Sequence, residues 1–272
     1  LSGIKINIFI SKQIGCGAWS GATMPCIPIL YLRGKMAPLG FSTGCMYKTS
    51  LTLDNVISFY SHIGAGALEI NFATIRELAD FKYDADLLKT ISGFFYVSIH
   101  APFKGIRYGD NDFSRHAIKK LQKLCNELPV KGVVIHPDTV EDFKMLEATG
   151  LPFLIENMDK RKTRGILAAE FTAYSMLYNF GYVLDLKHVY EHDPTMALAG
   201  DYVSAMSGRL REIHISGDGE NSNHVTLYNM DAGEKIASLI PAGVPVIIES
   251  VFEEPNEFIV RRELDFVRRH SL

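Results

Sequence analysis

The chain has 272 residues, 47% of them apolar, and a formal net charge of −3. That size suits one large domain, alone or with a small appendage, and the charge excludes a globally basic nucleic-acid binder, so any such contact rests on a local patch. Four scattered cysteines without a CxxC pair exclude a zinc ribbon and a disulfide framework, and they fit a reducing, cytoplasmic setting.

The first 35 residues alternate Gly-, Cys- and Ile-rich pieces without a clear period, and the chain opens on Leu, with Met36 just before the first well-formed strand. Residues 1–35 are therefore set apart as an N-terminal extension, and 36–272 form the folded domain. The alternative is an added strand through Lys5–Ile10 packed on the domain. Neither Ile4–Ile10 nor Cys26–Leu32 is long enough to span a membrane or laid out as a secretory signal.

From Leu39 onward strand and helix alternate eight times. The predicted strands are Leu39–Ser42, Ala67–Asn71, Phe95–His100, Gly132–His136, Phe153–Glu156, Tyr182–Asp185, Glu212–Ile215 and Val246–Glu249. Most are rich in Val, Ile, Leu and Phe, as strands buried on both faces require. Between them, Asn55–Ile63 reads as a helix ending at Gly64, and Ser114–Leu128 as one ending at Pro129. Asp138-Thr139-Val140-Glu141 reads as a variant capping box for a helix closed by Gly150. Pro194 suits the start of a helix over Met196–Met206, and Glu257–Val267 is the last. The fold class is α/β, a single-domain (β/α)8 TIM barrel. An open doubly wound sheet is the runner-up, but no GxGxxG follows the first strand.

Six strands end in a candidate metal ligand: His100, His136, Glu156, Asp185, His214 and Glu249. In a barrel these ends meet at the C-terminal rim, where active sites form. One such residue is as often a hydrogen-bonded core group as a ligand. Six together would crowd like charges without compensation, and divalent cations resolve that conflict. Mixed imidazole and carboxylate donors favour zinc, with manganese, iron or cobalt as alternatives. Glu69, near the end of the second strand, reads as a group orienting a ligand or as an ion-pair partner. Lys187 can offset charge beside Asp185. His62, His116, His192 and His270 read as surface or satisfied residues.

The segments Ser98-Ile99-His100-Ala101-Pro102-Phe103, Val134-Ile135-His136-Pro137, Ile155-Glu156-Asn157, Leu184-Asp185-Leu186-Lys187-His188, Ile213-His214-Ile215 and Ile248-Glu249 resemble the endonuclease IV branch of the xylose-isomerase-like barrels. The resemblance spans about Leu39 to Pro255. It implies that His100, His136 and Glu156 hold one metal, that Glu156 bridges to a second held by Asp185, His214 and Glu249, and that His188 and His224 match ligands of a third. At that third site Ser222-Asn223-His224 stands where the family has Asp-x-His, a departure that sets the third metal apart from the first two, with Asp218 and Glu220 as candidates to replace the missing carboxylate. The implied activity is phosphodiester hydrolysis by a metal-bound hydroxide, at abasic sites in damaged DNA, with Glu156, His188 and Glu249 catalytic and two or three zinc ions.

Lys160, Arg161, Lys162 and Arg164, after the Glu156 strand, read either as a phosphate clamp or as a solvated loop. Phe103 reads as a wedge into bent DNA or as the lining of a small-molecule pocket. A second function from the same superfamily is a metal-dependent isomerase or epimerase of a small sugar or sugar phosphate. In it Glu156, Asp185, His214 and Glu249 hold one metal and the two glutamates exchange a proton with carbon. Those enzymes usually carry an Arg shortly after the His214 position, and residues 215–229 contain none. A metal-stabilised, non-catalytic binding protein is the third reading. The sequence does not fix the oligomeric state.

Overall fold

The computed structural model describes residues 37–271; the extension at 1–35, with its candidate strand, lies outside the described residues. Eight parallel strands close into a barrel: β1 (Leu39–Ser42), β2 (Ala67–Asn71), β3 (Tyr96–His100), β4 (Gly132–Ile135), β5 (Phe153–Glu156), β6 (Gly181–Asp185), β7 (Leu210–Ile215) and β8 (Val246–Ile248). Each pairs with its sequence neighbour, and β8 returns to β1 through Leu39 opposite Val246. The ten α-helices among the described residues are α1 (Leu53–His62), α2 (Ile75–Asp80), α3 (Ala85–Ile91), α4 (Asp112–Glu127), α5 (Phe143–Ala148), α6 (Ala168–Leu177), α7 (Leu186–His192), α8 (Ala199–Ala205), α9 (Gly233–Ala237) and α10 (Glu257–His270). None is long and apolar enough to cross a membrane.

Strand alternation divides the side chains into two sets. One set, including Leu68, Ile70, Val97, Ile99, Val133, Ile135, Ile155, Leu184 and Ile213, joins the main core between strands and helices. The other set fills the barrel and is split in character. One part is apolar, with Val134, Leu154 and Val183 in one cluster and Ala67, Tyr96 and Ile247 in another. The other part carries Glu69, Ser98, Glu212 and His214, all fully buried. Gly40 is required where β1 crowds β2, since a Cβ there would fall 1.7 Å from the Ala67 carbonyl oxygen.

Two local expectations are corrected. Asp138 caps no α-helix: residues 137–139 form a single 3-10 turn, and α5 starts later with Asp142 accepting from the Lys144 and Met145 amides. The intervening backbone is committed elsewhere, because Tyr108 bridges Val140 and its carbonyl accepts from Glu141 N–H. The helix expected over Met196–Met206 shrinks to α8, because Met196 adopts a φ of 58° that no helix admits. The sequence reading also missed α7, which begins immediately after β6. Asp185 is both the last strand residue and the N-cap, its Oδ1 accepting from the Lys187 and His188 amides.

Candidate metal centre

All six strand-end residues converge. His100, Glu156 and Asp185 close β3, β5 and β6; His136 and Glu249 follow β4 and β8 by one residue; His214 is the penultimate residue of β7. They form two groups whose ligand atoms lie within 4.8 Å of one another, His100–His136–Glu156 and Glu156–Asp185–His214–Glu249. Glu156 belongs to both. Its Oε2 lies 3.5 Å from His100 Nε2 and 3.3 Å from His136 Nε2, while its Oε1 lies 3.1 Å from His214 Nδ1. Glu249 Oε1 is 3.5 Å from the same His214 nitrogen.

This donor set fits metal ions. Glu156 Oε2 and Asp185 Oδ2 are buried and have no hydrogen-bond partner, and lone pairs left unpaired at a point of convergence are costly without a cation. Without a metal, the cluster titrates as one coupled unit. Burial acts to raise Glu156, but His214, His100 and His136 outweigh it and hold the carboxyl well below its ordinary range. Burial pushes Glu249 up to about 8, with the Glu156 charge adding to the rise. His136 goes down by burial, whereas His214 goes well up against burial because Glu249, Glu69 and Glu156 surround it.

His188 and His224 belong to neither group. His188 Nδ1 donates to the Asn157 carbonyl at 2.7 Å and lies 3.2 Å from Asp185 Oδ2. His224 Nδ1 meets Ser216 Oγ at 2.9 Å, and the two imidazole centroids are 6.4 Å apart. Burial and the charge of Lys187 push the His224 pKa down. Asp218 lies 3.5 Å from the Lys187 ammonium, which is fully buried and also bonded to Glu191, and Glu220 joins no ligand group among the described residues. Ser222 sits in a tight turn, with φ of 57° at Asn221 and 59° at Ser222, and lines a separate small cavity beside Tyr47 and Lys48.

The main cavity, of about 620 Å³, opens over the centre and includes His100, His136, Glu156, His188, His224 and Glu249 in its wall. Phe103 is in that wall too, its ring 4.8 Å from His136 and 5.2 Å from His100. Arg161 and Lys162 line it, but each already has a carboxylate: Arg161 forks onto Asp159 at 2.8 and 3.0 Å, and Lys162 reaches Asp138 at 3.2 Å. Arg164 donates to the Val140 carbonyl, and neither it nor Lys160 borders the cavity.

Two contributors were not singled out from the sequence. Glu212 Oε1 lies 2.6 Å from His214 Nε2, with Glu69 Oε2 at 3.3 Å from the same nitrogen. The signal was available in Glu212-Ile213-His214, because residues two apart on a strand share a face. Asn157 ties β5 to β6 by accepting from Asp185 N–H at 2.6 Å and donating to its carbonyl at 2.9 Å.

No protein-family model matches the chain, and no curated protein does. Solved structures match over nearly their whole length. Endonuclease IV from Thermus thermophilus is 17% identical with a TM-score of 0.61, covering 84% of this chain and 99% of its own. D-Psicose 3-epimerase from Clostridium cellulolyticum is 14% identical with a TM-score of 0.57, covering 86% and 100%. A 3-keto-D-glucoside 4-epimerase from E. coli is 13% identical with a TM-score of 0.56, covering 86% and 99%. The chain shares with these proteins the fold of a closed eight-stranded parallel barrel. At these identities the likeness is one of fold, and it embraces an endonuclease and sugar epimerases alike.

Proposed function

We propose that the protein is a metal-dependent phosphodiesterase resembling endonuclease IV, with zinc in a two-metal centre and a phosphodiester, such as that at an abasic site in DNA, as substrate. The observation that carries this reading is the double engagement of Glu156, one oxygen facing the two histidines of one ligand group and the other facing His214. A mononuclear enzyme has no use for His100 and His136 as ligands.

When bound by these residues, two divalent ions would activate water near neutral pH and neutralise phosphate oxygens. The remaining work falls to the chain. Glu156 fixes the separation of the two ligand groups, and Asp185, with Oδ1 held by two amides, offers Oδ2 inward. His188 gives its Nδ1 proton to the Asn157 carbonyl, which leaves Nε2 to face the cavity. In the metal-free chain Asp185 and Glu156 raise its pKa against burial, and its place in the cavity wall suits it to serve a departing oxygen. Phe103 and the Arg161–Asp159 pair shape the rim where the rest of the substrate would lie.

A second reading rests on Glu156 and Glu249, both within 3.5 Å of His214 Nδ1. Two carboxylates so placed suit proton exchange at a carbon of a ketose bound to one metal. The test measures metal content at saturation, then assays an abasic-site duplex and bis(p-nitrophenyl) phosphate beside a ketose panel. Two ions with diester cleavage are expected, and His136→Ala should lower that cleavage by at least ~100-fold. One ion with ketose turnover would sink the phosphodiesterase, and bound metal without turnover of either class would identify a binding protein.

A further inference from the structure

We propose that the two halves of this centre differ in strength: Glu156, Asp185, His214 and Glu249 hold a resident ion, whereas His100, His136 and Glu156 hold an exchangeable one. The inference rests on the dinuclear reading above and adds an order of loading, so that the complete centre forms only when free metal is plentiful.

The first difference is in the donors. The Asp185 half has three carboxylates and an imidazole; the His100 half has two imidazoles and only a share of Glu156. Four protein donors match the coordination number zinc usually takes, whereas three leave a position to water. The second difference lies behind the imidazoles. His214 points Nδ1 at the centre, and its Nε2–H donates to Glu212 at 2.6 Å beside Glu69 at 3.3 Å. All three side chains are fully buried. A carboxylate behind a ligating imidazole fixes its tautomer and direction and makes it a stronger donor. The other two histidines lack this support: His100 Nδ1 reaches only the carbonyl of its neighbour Ala101 at 3.0 Å, and His136 Nδ1 is buried with no partner.

Access differs at the imidazoles only. His100 and His136 border the open cavity and His214 lies behind it with Asp185, whereas Glu249, 15% exposed, borders the cavity from the other half and Glu156 is common to both. His136 keeps 11% of its side chain exposed against none for His214. Glu212 is therefore a positioning residue, acting on the resident ion through His214.

The test equilibrates the zinc-loaded protein with a graded series of chelator-buffered free zinc concentrations and measures bound zinc by mass spectrometry. Two steps are expected, from two ions to one and from one to none, at least ~10-fold apart in free zinc. His136→Ala should erase the upper step and leave the lower in place. Glu212→Gln should shift the lower step toward weaker binding by about 10- to 100-fold; if that variant does not fold, Glu69→Gln replaces it. Loss of both ions in one step overturns the inference while leaving the dinuclear reading intact, as does a lower step that Glu212→Gln does not move. A plateau of one ion at saturating zinc overturns the dinuclear reading itself.

Discussion

Raising the pH from 7 to 9 should tighten the ion held by His100, His136 and Glu156, by at most about fifty-fold, since the ion loaded first on Glu156 and Glu249 already offsets part of the charge that holds the His100 proton. In the metal-free centre burial opposes protonation of His100, but Glu156, with Oε2 3.5 Å from Nε2, and the charges of Glu69 and Glu249 outweigh burial and raise its pKa from 6.5 to about 9. A metal needs the neutral imidazole. At pH 7 that proton is about two units from release, so about 1% of the metal-free centres are ready. By pH 9 about half are ready, which sets the fifty-fold limit. The sign for stability runs the other way. The raised pKa means that the stabilisation from this imidazolium is full below 6.5 and is lost as the pH rises through about 9. The metal-free chain should therefore weaken over that interval while the increment in Tm on adding zinc grows. Zinc titrations with an indicator calibrated at each pH, paired with thermal scans of both forms, read the two effects. An affinity flat between pH 7 and 9 would refute the account of His100.

Three further substitutions probe the frame around the centre. Gly40→Ala should cost about 3 kcal/mol or more in denaturant unfolding, because the added methyl meets a backbone carbonyl at 1.7 Å and β1 must separate from β2; a loss under ~1 kcal/mol would contradict that contact. Asn157→Ala strips partners from the buried amide and carbonyl of Asp185 and should cost about 2–4 kcal/mol, measured by the same method. Lys187→Met leaves Glu191 buried without its cation and should cost about 3–5 kcal/mol, whereas Lys187→Met with Glu191→Leu should recover most of the loss. A double variant as unstable as the single would show that the pair stabilises for a reason other than mutual neutralisation.

What could be seen in the sequence follows from how a parallel barrel is built. Strands buried on both faces are unbroken apolar runs, so the polar residue ending each run marks its C-terminal edge, and six such residues announced the rim. Where the reading failed, the deciding contact came from elsewhere in the chain. Asp138 and Asp142 both precede a helical stretch, and only the pairing of Val140 with Tyr108 determines which one caps it. Helix α7 is hidden because Asp185 ends a strand and caps a helix at once, leaving no loop to announce the change. The fate of Ser222 depends on left-handed backbone at Asn221 and Ser222, which no side-chain pattern requires. Glu212 differs from these cases, because strand alternation alone puts it on the face of His214, inside the barrel. A buried carboxylate there has no structural excuse in an apolar core, and the polar part of the barrel interior, Glu69, Ser98 and Glu212 below His214, is the one place where it does not face such a core. The candidate metal centre therefore extends one layer deeper than the six strand-end residues. The interior that would otherwise be filled by aliphatic side chains is given over, on that side, to holding one imidazole in place.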